Sequence, residues 1–409
     1  MNSLLILCSL VLAALEPLSP IDGKTVALVP DAQKQVMAPE RLADRIKVLQ
    51  DDRTGAKTLK HDKLWRRPNP LVLAIRTTAG EKGPWKVLIG KKPDLSDART
   101  FYIRTAKIDT ATGREEAVGG SVTQAVARVK VPRANLEVAT RYYWKAVCRG
   151  SCGFGCHPAH HCANCKVLAE TPVSSFVTED LAPRWIEIEG RVENFRDLGG
   201  RIGLGGRRVR QGLVYRGQGL NDNSVTGEEP GDNRLTVGDV RYLTGTLGIR
   251  TDLDLRGIGE VSTMKESPLG PSVTFVNRSS SCYRGIFEER GKKTMAENFR
   301  LFCDRANYPV YFHCIGGADR TGALAYVMQG VLGVSRHEAE TDWESTFYPR
   351  IPDENPDPGH WCRESHYDAG LARFGDADTS WNDRVVLYLK SCGITDDEIA
   401  TFREIMLEK

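Results

Sequence analysis

The stretch that decides the fold runs from Val310 to Met328 and reads Val-Tyr-Phe-His-Cys-Ile-Gly-Gly-Ala-Asp-Arg-Thr-Gly-Ala-Leu-Ala-Tyr-Val-Met. Its apolar start predicts a buried strand, its paired glycines a tight loop, and its apolar end a helix that opens at Thr321. Backbone N–H groups of such a loop and of the first helical turn point into one concavity, where the helix dipole favours an anion. The stretch therefore predicts a phosphate site formed by Ile315, Gly316, Gly317, Ala318, Asp319 and Arg320.

Cys314 and Arg320 stand at the two ends of this loop, with five residues between them. The positive field favours the thiolate form of Cys314, which is the nucleophilic form of cysteine. Arg320 presents a planar fork that binds two phosphate oxygens. Sulfur below phosphorus, with a guanidinium on the equatorial oxygens, is suited to phosphoryl transfer. A buried structural cysteine beside a chance arginine is the competing interpretation, which the agreement of strand, glycines and helix disfavours.

Several runs carry a resemblance to a known family. His313–Gly322 resembles the signature loop of the cysteine-dependent protein tyrosine phosphatase superfamily. Asn194–Gly200, Val209–Arg216 and Asp254–Arg256 are similar to segments of its atypical bacterial branch, whose members have dual-specificity or lipid activity.

The resemblance implies a reaction and a substrate class. A phosphomonoester, on a protein or on a small molecule, is hydrolysed through a phosphocysteine intermediate without a metal or other cofactor. Protein phosphotyrosine is the first expected substrate, and an inositol phosphate or a lipid phosphate is the alternative. Relatives with lipid or dual substrates often carry a lysine where this chain has Ala318, so the missing charge disfavours phosphoinositides.

The leaving oxygen needs a proton donor, which can then activate water against the phosphocysteine. Asp319 lies inside the loop, and its equivalent in the resembling branch is associated with catalysis. Asp254 ends a predicted strand, where catalytic groups of α/β enzymes collect. We expect Asp319 before Asp254 as the donor. The alternatives are an Asp319 that only braces the loop and an Asp254 that pairs with Arg256 or Arg320.

Three other polar side chains are candidates for supporting the loop. His313 either helps to hold the thiolate or is a hydrogen-bonded core histidine. Thr321 follows Arg320 at the predicted start of the helix. Asn194 fits a structural turn held by side-chain hydrogen bonds better than a substrate contact.

Length and composition predict two globular domains. The 409 residues are 41% hydrophobic and 27% charged, and a net charge of +3 gives no sign of nucleic-acid binding. Residues 182–409 alternate strand and helix patterns, which predicts an α/β domain with a parallel-centred sheet flanked by helices. Residues 20–181 contain short strand patterns between turns, which predicts an antiparallel all-β sandwich. This part resembles a fibronectin type III domain over residues 66–180, which implies a binding or spacer module.

The first residues predict export from the cytoplasm. Leu4–Leu15 is apolar, contains two alanines near its end and is too short to cross a membrane. We interpret residues 1–19 as a signal peptide and expect a periplasmic or extracellular protein that is not an integral membrane protein. A buried N-terminal segment is the alternative.

A cluster of cysteines and histidines separates the last two strand patterns of the predicted sandwich. Cys162 and Cys165 have the spacing of a zinc knuckle. In an exported chain the same cysteines can instead pair as disulfides. Structural zinc or disulfides would each staple a hairpin tip that has no core of its own. The candidate residues are Cys148, Cys152, Cys156, His157, His161, Cys162 and Cys165.

Two other classes of function are compatible with parts of the sequence. A binding protein that only recognises phosphate would need a damaged loop, but Cys314 and Arg320 are intact. A protein whose sandwich binds glycans or protein surfaces would carry the phosphatase as a passenger.

Pro352–Thr379 is a further segment of distinct composition, rich in Pro, Asp and Gly. It predicts a surface insertion near the site. Such an insertion could gate substrate entry, and a solvated loop is the simpler interpretation.

Overall fold

The computed structural model describes residues 15–51, 67–77, 83–111, 124–150, 166–190, 192–220, 235–261, 264–346 and 367–409. The chain divides into two compact units. The first unit comprises Met1–Leu28 and Asn69–Asp180, and the second comprises Val29–Pro68 and Leu181–Lys409. Residues 29–68 thus belong with the second unit, whereas the sequence prediction grouped them with the sandwich.

The first unit contains two sheets. One sheet has the strand order β1-β3-β7-β6 and is antiparallel throughout. The other has the order β2-β10-β8-β4-β5, with β9 also paired to β8, and only its β2–β10 pair is parallel. The strands are β1 Glu16–Ser19, β2 Thr25–Val26, β3 Leu71–Thr77, β4 Trp85–Gly90, β5 Arg99–Ile103, β6 Lys107–Ala111, β7 Gln124–Val131, β8 Arg141–Arg149, β9 Val167–Glu170 and β10 Ser174–Thr178.

The strand patterns of this unit correspond to strands in the structure. Those beginning at Leu71, Trp85, Ala125, Tyr142 and Ser174 lie in β3, β4, β7, β8 and β10. Alternate side chains are buried along β4, because successive side chains of a strand point to opposite faces. Trp144 of β8 is fully buried, and its indole N–H donates to the carbonyl of Pro20 at 2.9 Å.

The second unit is built on one six-stranded sheet of order β11-β12-β13-β16-β14-β15. The pairs β13–β16, β16–β14 and β14–β15 are parallel, and β11 and β12 form an antiparallel edge. The α/β prediction for this unit is confirmed. The strands are β11 Arg184–Trp185, β12 Arg196–Asp197, β13 Val214–Gly217, β14 Thr251–Asp254, β15 Thr274–Asn277 and β16 Val310–His313.

Several helices of the second unit begin at a residue whose side chain caps them. The side chains of Thr236, Ser335 and Thr395 accept from the backbone of the first helical turn. Within the described stretches, every helix is too short or too polar to cross a membrane. The helices are α1 Asp31–Met37, α2 Leu42–Gln50, α3 Val237–Arg241, α4 Ile258–Val261, α5 Glu289–Leu301, α6 Asp319–Val331, α7 Arg336–Glu344, α8 Ala369–Leu371, α9 Trp381–Ser391 and α10 Asp396–Met406.

Helices α1 and α2 join the second unit through buried polar contacts. Arg45 donates through Nε to Glu344 at the end of α7 at 2.8 Å, and neither side chain is more than 2% exposed. Gln33 of α1 accepts from the indole N–H of Trp185 at 3.2 Å. These residues are far apart in sequence, which is why the sequence pattern did not indicate that they pack together.

The parallel strands bring several carboxyl ends to one edge of the sheet. In register, Gly217 and Asp254 lie beside His313 on either side. The loop predicted to bind phosphate follows His313 directly, so it leaves the sheet at this edge, where ligand sites of α/β folds form.

Candidate active site

The loop between β16 and α6 begins at a buried cysteine. All four residues of β16 are buried, and Cys314 is 2% exposed. Helix α6 begins at Asp319, two residues before the predicted start at Thr321, because Gly322 N–H already donates to the carbonyl of Ala318 at 2.7 Å. The first helical turn therefore includes Arg320.

The carbonyl groups of the loop define one face, which we call the outer face. Each carbonyl from Cys314 to Ala318 has a polar partner there, so the outer face is fully engaged. The partners are His313 Nδ1 with Cys314 O at 3.2 Å, Gly219 N–H with Ile315 O at 2.9 Å, Asn194 Nδ2 with Gly316 O at 3.0 Å and with Gly317 O at 3.1 Å, Arg216 Nη2 with Gly317 O at 2.8 Å, and Gly322 N–H with Ala318 O at 2.7 Å.

The opposite face of the loop, the inner face, presents backbone N–H groups. From Ile315 to Thr321, no backbone N–H has a hydrogen-bond partner within the described parts of the chain. Most of these residues are half-buried, and unpaired N–H groups that converge at a helix N-terminus form a site where an anion can supply the acceptors. A tetrahedral oxyanion provides several acceptors in a small volume.

Gly317 is required by the tight contact between the loop and β13. Its φ is +66°, in the region that favours glycine. A Cβ at this position would lie 2.2 Å from the carbonyl oxygen of Gly217. Gly316 is different, since a Cβ there would meet no atom closer than 4.0 Å. Only the second of the two glycines is fixed by packing.

Arg320 is oriented by a carboxylate that the sequence analysis did not single out. Its Nη1 donates to Glu260 Oε2 at 2.6 Å, and its Nη2 donates to Oε1 at 2.8 Å. The hydrogen bond from Arg320 holds the pKa of Glu260 below its usual value, and the same bond raises the pKa of Arg320. A guanidinium has five N–H donors, so three can still bind an anion.

Asp319 accepts a hydrogen bond from the hydroxyl group of Tyr283. Tyr283 has φ +53°, which is uncommon for a bulky residue, and its backbone N–H donates to the hydroxyl of Tyr367 at 2.7 Å. Burial, with the charge of Asp319, raises the pKa of Tyr283, so the phenol stays protonated and donates. Asp319 is half-buried at the start of α6, on the rim of the loop.

Asp254 has the structural role that was the alternative in the sequence analysis. It is fully buried, and Arg256 donates to it through Nη2 at 2.8 Å and through Nε at 3.0 Å. Burial alone would raise the pKa of Asp254, but the charge of His313 and the bond from Arg256 outweigh it and lower that pKa. A carboxyl group held in its ionised form is a poor proton donor.

His313 lies between two acceptors. Its Nε2 is 3.0 Å from Asp252 Oδ1, and its Nδ1 is 3.2 Å from the carbonyl oxygen of Cys314. Both contacts are satisfied only when both ring nitrogens carry protons. Burial alone would lower the pKa of His313, but the charge of Asp252 outweighs it, so the pKa is raised. The residue before Cys314 thus favours the cationic form.

A buried charge cluster lies behind the outer face. We define it as Asp342 of α7 with Arg196, Arg201 and Arg216. Asp342 accepts from Arg196 Nε at 2.8 Å, Arg201 Nη2 at 3.0 Å and Arg216 Nη1 at 2.7 Å. Burial would raise the pKa of Asp342, but the three guanidinium charges hold it well below its usual range.

Two other predicted positions have partial outcomes. The hydroxyl of Thr321 is buried and has no hydrogen-bond partner among the described residues. The segment Pro352–Thr379 is described only from Tyr367, which is fully buried and packs edge-on against Trp343 with ring centroids 4.6 Å apart. Its last part is therefore partly core and not wholly a solvated insertion.

Most of the predicted metal or disulfide cluster lies outside the described residues. Cys152, Cys156, His157, His161, Cys162 and Cys165 all fall in that part of the chain. Cys148 is described near the end of β8, where its side chain is buried. The choice between zinc and disulfides stays a prediction.

The chain is similar in sequence to a known protein family. The sequence profile of the tyrosine phosphatase family matches residues 186–408, more than half of the chain. The chain belongs to the tyrosine phosphatase family. The matched residues include β12 to β16, the loop and α6, and so all of the site described above.

This tyrosine phosphatase family member matches a curated protein and a solved structure. A putative tyrosine-protein phosphatase of Cupriavidus necator is 28% identical over 190 residues, which is 38% of this chain and 64% of the relative. The chain thus matches less than two thirds of that relative's length. The solved core catalytic domain of a PP-IP phosphatase from S. cerevisiae, in complex with citrate, is 14% identical with a TM-score of 0.23 and covers 39% of this chain and 84% of that one.

The sequence analysis of this family member missed Glu260, Tyr283 and Asp342. Glu260 had a usable signal, because it follows a strand that ends at the loop's edge of the sheet and lies in a short helix there. Tyr283 and Asp342 had no such signal in the sequence, since both come from segments distant from the loop. Tyr283 contacts Asp319, and Asp342 acts on the loop through Arg216.

Proposed function

We propose that the second unit hydrolyses phosphomonoesters through a phosphocysteine intermediate. The observation that carries this proposal is the loop that joins Cys314 to Arg320, whose N–H groups from Ile315 to Thr321 have no partner among the described residues. Donors fixed before the substrate arrives stabilise charge on a transferring phosphoryl group without reorganisation.

The first step is attack of the Cys314 thiolate on phosphorus. An S–P bond forms, the bond from phosphorus to the ester oxygen breaks, and the departing oxygen takes a proton. The loop N–H groups and the free edge of Arg320 hold the three equatorial oxygens. In the second step water attacks phosphorus, the S–P bond breaks, and the thiolate and inorganic phosphate are released.

Asp319 is the proposed proton donor in the first step and the proton acceptor from water in the second. It lies at the rim of the loop, whereas Asp254 is buried and bound by Arg256. The hydrogen bond from Tyr283 orients the Asp319 carboxyl group. A carboxyl group that faces the substrate and is bound by only a neutral hydroxyl can exchange its proton during turnover.

Protein phosphotyrosine is the proposed substrate. The 2% exposure of Cys314 favours a phosphate at the end of a long, rigid side chain, which can reach the bottom of the loop. Ala318 adds no positive charge for a polyphosphorylated head group. A panel of phosphotyrosine and phosphoserine peptides, inositol phosphates and phosphoinositides tests this choice; faster turnover of an inositol phosphate would replace phosphotyrosine.

The central experiment compares the protein with Cys314→Ser. The variant should not hydrolyse para-nitrophenyl phosphate, because a serine hydroxyl is a much weaker nucleophile than a cysteine thiolate. Inorganic phosphate should still bind. Cys303→Ser is the matched control, since Cys303 lies outside the loop and donates to the carbonyl of Glu398. Unchanged hydrolysis by Cys314→Ser would rule out the phosphocysteine mechanism.

We propose that the first unit is a fibronectin type III-like module that binds or spaces, in an exported protein whose signal peptide ends before β1, because Glu16–Ser19 is paired with β3. Its two sheets and buried Trp144 support this interpretation. Structural zinc or disulfides at Cys148 to Cys165 would stabilise its hairpin. Zinc analysis and a free-thiol count on protein purified without added metal separate the two; absence of both zinc and oxidised cysteine would contradict each.

A further inference from the structure

The orientation of the Asn194 carboxamide is fixed by its neighbours. Its Oδ1 accepts from Arg196 Nη1 and from the hydroxyl of Thr346. The other end, Nδ2, must therefore face the loop, where it donates to the carbonyls of both Gly316 and Gly317. Asn194 is 1% exposed and has φ +60°, so its backbone is held in an uncommon conformation to place this contact.

Arg216 connects the loop to the buried charge cluster. One arm of its guanidinium donates to Asp342 Oδ2 at 2.7 Å, and the other donates to the carbonyl of Gly317 at 2.8 Å. The side chain is fully buried. Burial and the charge of Arg196 lower the pKa of Arg216 to about 9, so the group stays charged at neutral pH.

Arg201 offers a comparison within the same cluster. It also forms two contacts, one with Asp342 at 3.0 Å and one with the carbonyl of Leu198 at 3.3 Å, but it does not contact the loop. Arg201 and Arg216 therefore share a carboxylate and differ in what their second arm holds.

We propose that Asn194, held by Arg196 and Thr346, and Arg216, held by Asp342, are positioning residues that set the anion-binding conformation of the loop by drawing the Gly316 and Gly317 carbonyls to the outer face. A peptide group carries its N–H opposite its C=O, so a carbonyl turned outward turns the next N–H inward. Asn194 and Arg216 touch no reacting atom; they act through the backbone of Gly316 and Gly317. This inference rests on the proposed function, because the inner face is assigned to phosphate.

The experiment compares Arg216→Lys with Arg201→Lys. Each substitution keeps the charge but replaces a fork with a single ammonium group that cannot span two acceptors in the same way. Calorimetric titration with inorganic phosphate measures the dissociation constant, thermal unfolding measures stability, and para-nitrophenyl phosphate gives kcat and KM. All measurements are made well below the unfolding temperature of the weaker variant.

We expect Arg216→Lys to weaken phosphate binding about tenfold, which is the effect of losing one charge-assisted hydrogen bond that orders the site. Arg201→Lys should lower the unfolding temperature to a similar extent and leave phosphate binding within about twofold. Asn194→Asp is the second variant: it keeps the acceptor for Arg196 but turns an oxygen toward the two carbonyls, so phosphate binding should weaken at a temperature where the variant, although less stable, is still folded.

The outcomes separate this inference from the proposed function. Equal losses of phosphate affinity in Arg216→Lys and Arg201→Lys, or unchanged affinity in Arg216→Lys, would overturn the positioning role while leaving the phosphatase proposal intact. A wild-type protein that neither binds inorganic phosphate nor hydrolyses the aryl ester would overturn both.

Discussion

The two faces of the loop between β16 and α6 differ in how they are satisfied. On the outer face, every carbonyl from Cys314 to Ala318 has a partner within the protein. On the inner face, the N–H groups from Ile315 to Thr321 have none among the described residues. In this short loop the carbonyl groups thus have hydrogen-bond partners, whereas the N–H groups have none among the described residues.

This difference shows how a short loop can be rigid and still have N–H groups available to bind a ligand. The fold supplies acceptors and donors only where they fix the peptide planes, and leaves the opposite side for a ligand. The protein fixes the loop N–H groups through the carbonyls on the opposite side. Substrate binding therefore carries little free-energy cost for ordering these N–H groups.

The largest effect should come from the inner face, at Arg320. Arg320→Lys should reduce kcat/KM for an aryl phosphate about 10³-fold, because an ammonium cannot bind Glu260 and two phosphate oxygens at once. Steady-state kinetics measure the loss, with Arg305→Lys as a control at a surface arginine paired with Glu404. A decrease below tenfold would show that Arg320 does not clamp the phosphoryl group.

The next effect distinguishes the two carboxylates. Asp319→Asn should lower kcat about 100-fold while leaving the unfolding temperature nearly unchanged, because this carboxyl group exchanges a proton during turnover. Asp254→Asn should instead lower stability, because it leaves Arg256 buried without its carboxylate. If Asp254→Asn caused the larger loss of kcat at a temperature where it is folded, the roles would be exchanged.

A smaller effect tests the outer face through its two glycines. Gly317→Ala should destabilise the second unit by about 2–3 kcal/mol and disturb phosphate binding, since it combines a positive φ with a Cβ placed against the Gly217 carbonyl. Gly316→Ala is the matched control and should change stability by less than about 1 kcal/mol. Denaturant unfolding measures both, and equal destabilisation would contradict the packing argument.

The smallest effect concerns pH and the support beneath the loop. The raised pKa of His313 means that its pair with Asp252 contributes stability fully below the ordinary histidine pKa, and that this contribution is lost as pH rises through the folded-state pKa. As pH rises above the ordinary histidine pKa of about 6.5, the unfolding temperature of the protein should therefore fall more steeply than that of Asp252→Asn. Ser267→Ala, which removes the other partner of Asp252, should keep the wild-type slope.

Local sequence was sufficient for the inner face. Strand, loop and helix are consecutive between Val310 and Met328, so the residue order alone places Cys314 and Arg320 at the N-terminus of a helix. The helix start differed by two residues, because Ala318 already accepts a helical hydrogen bond and no side-chain cap marks the boundary.

Local sequence could not predict the contacts of the outer face. Asn194, Arg216 and Asp342 come from a loop, a strand and a helix that lie far apart in the sequence, and their contact depends on sheet register and helix packing. The segment from Asn194 to Gly200 was expected to be a turn held by side-chain hydrogen bonds, and Asp197 accepts such a bond from Gly199 N–H at 2.8 Å. Asn194 itself holds the turn of another segment. Amino-acid composition also does not predict that several charged side chains are buried in one place.

The contact of Arg45 with Glu344 has a consequence for synthesis of the chain. Helix α2 leaves the ribosome before the strands Leu71–Thr178, yet its buried guanidinium meets its carboxylate only after some three hundred further residues have been made. A fragment that starts at residue 182 would contain Glu344 and the whole loop but would lack Arg45. The carboxylate of Glu344 would then have lost its ion-pair partner. A fragment of the second unit should therefore retain residues 29–51 together with residues 181–409.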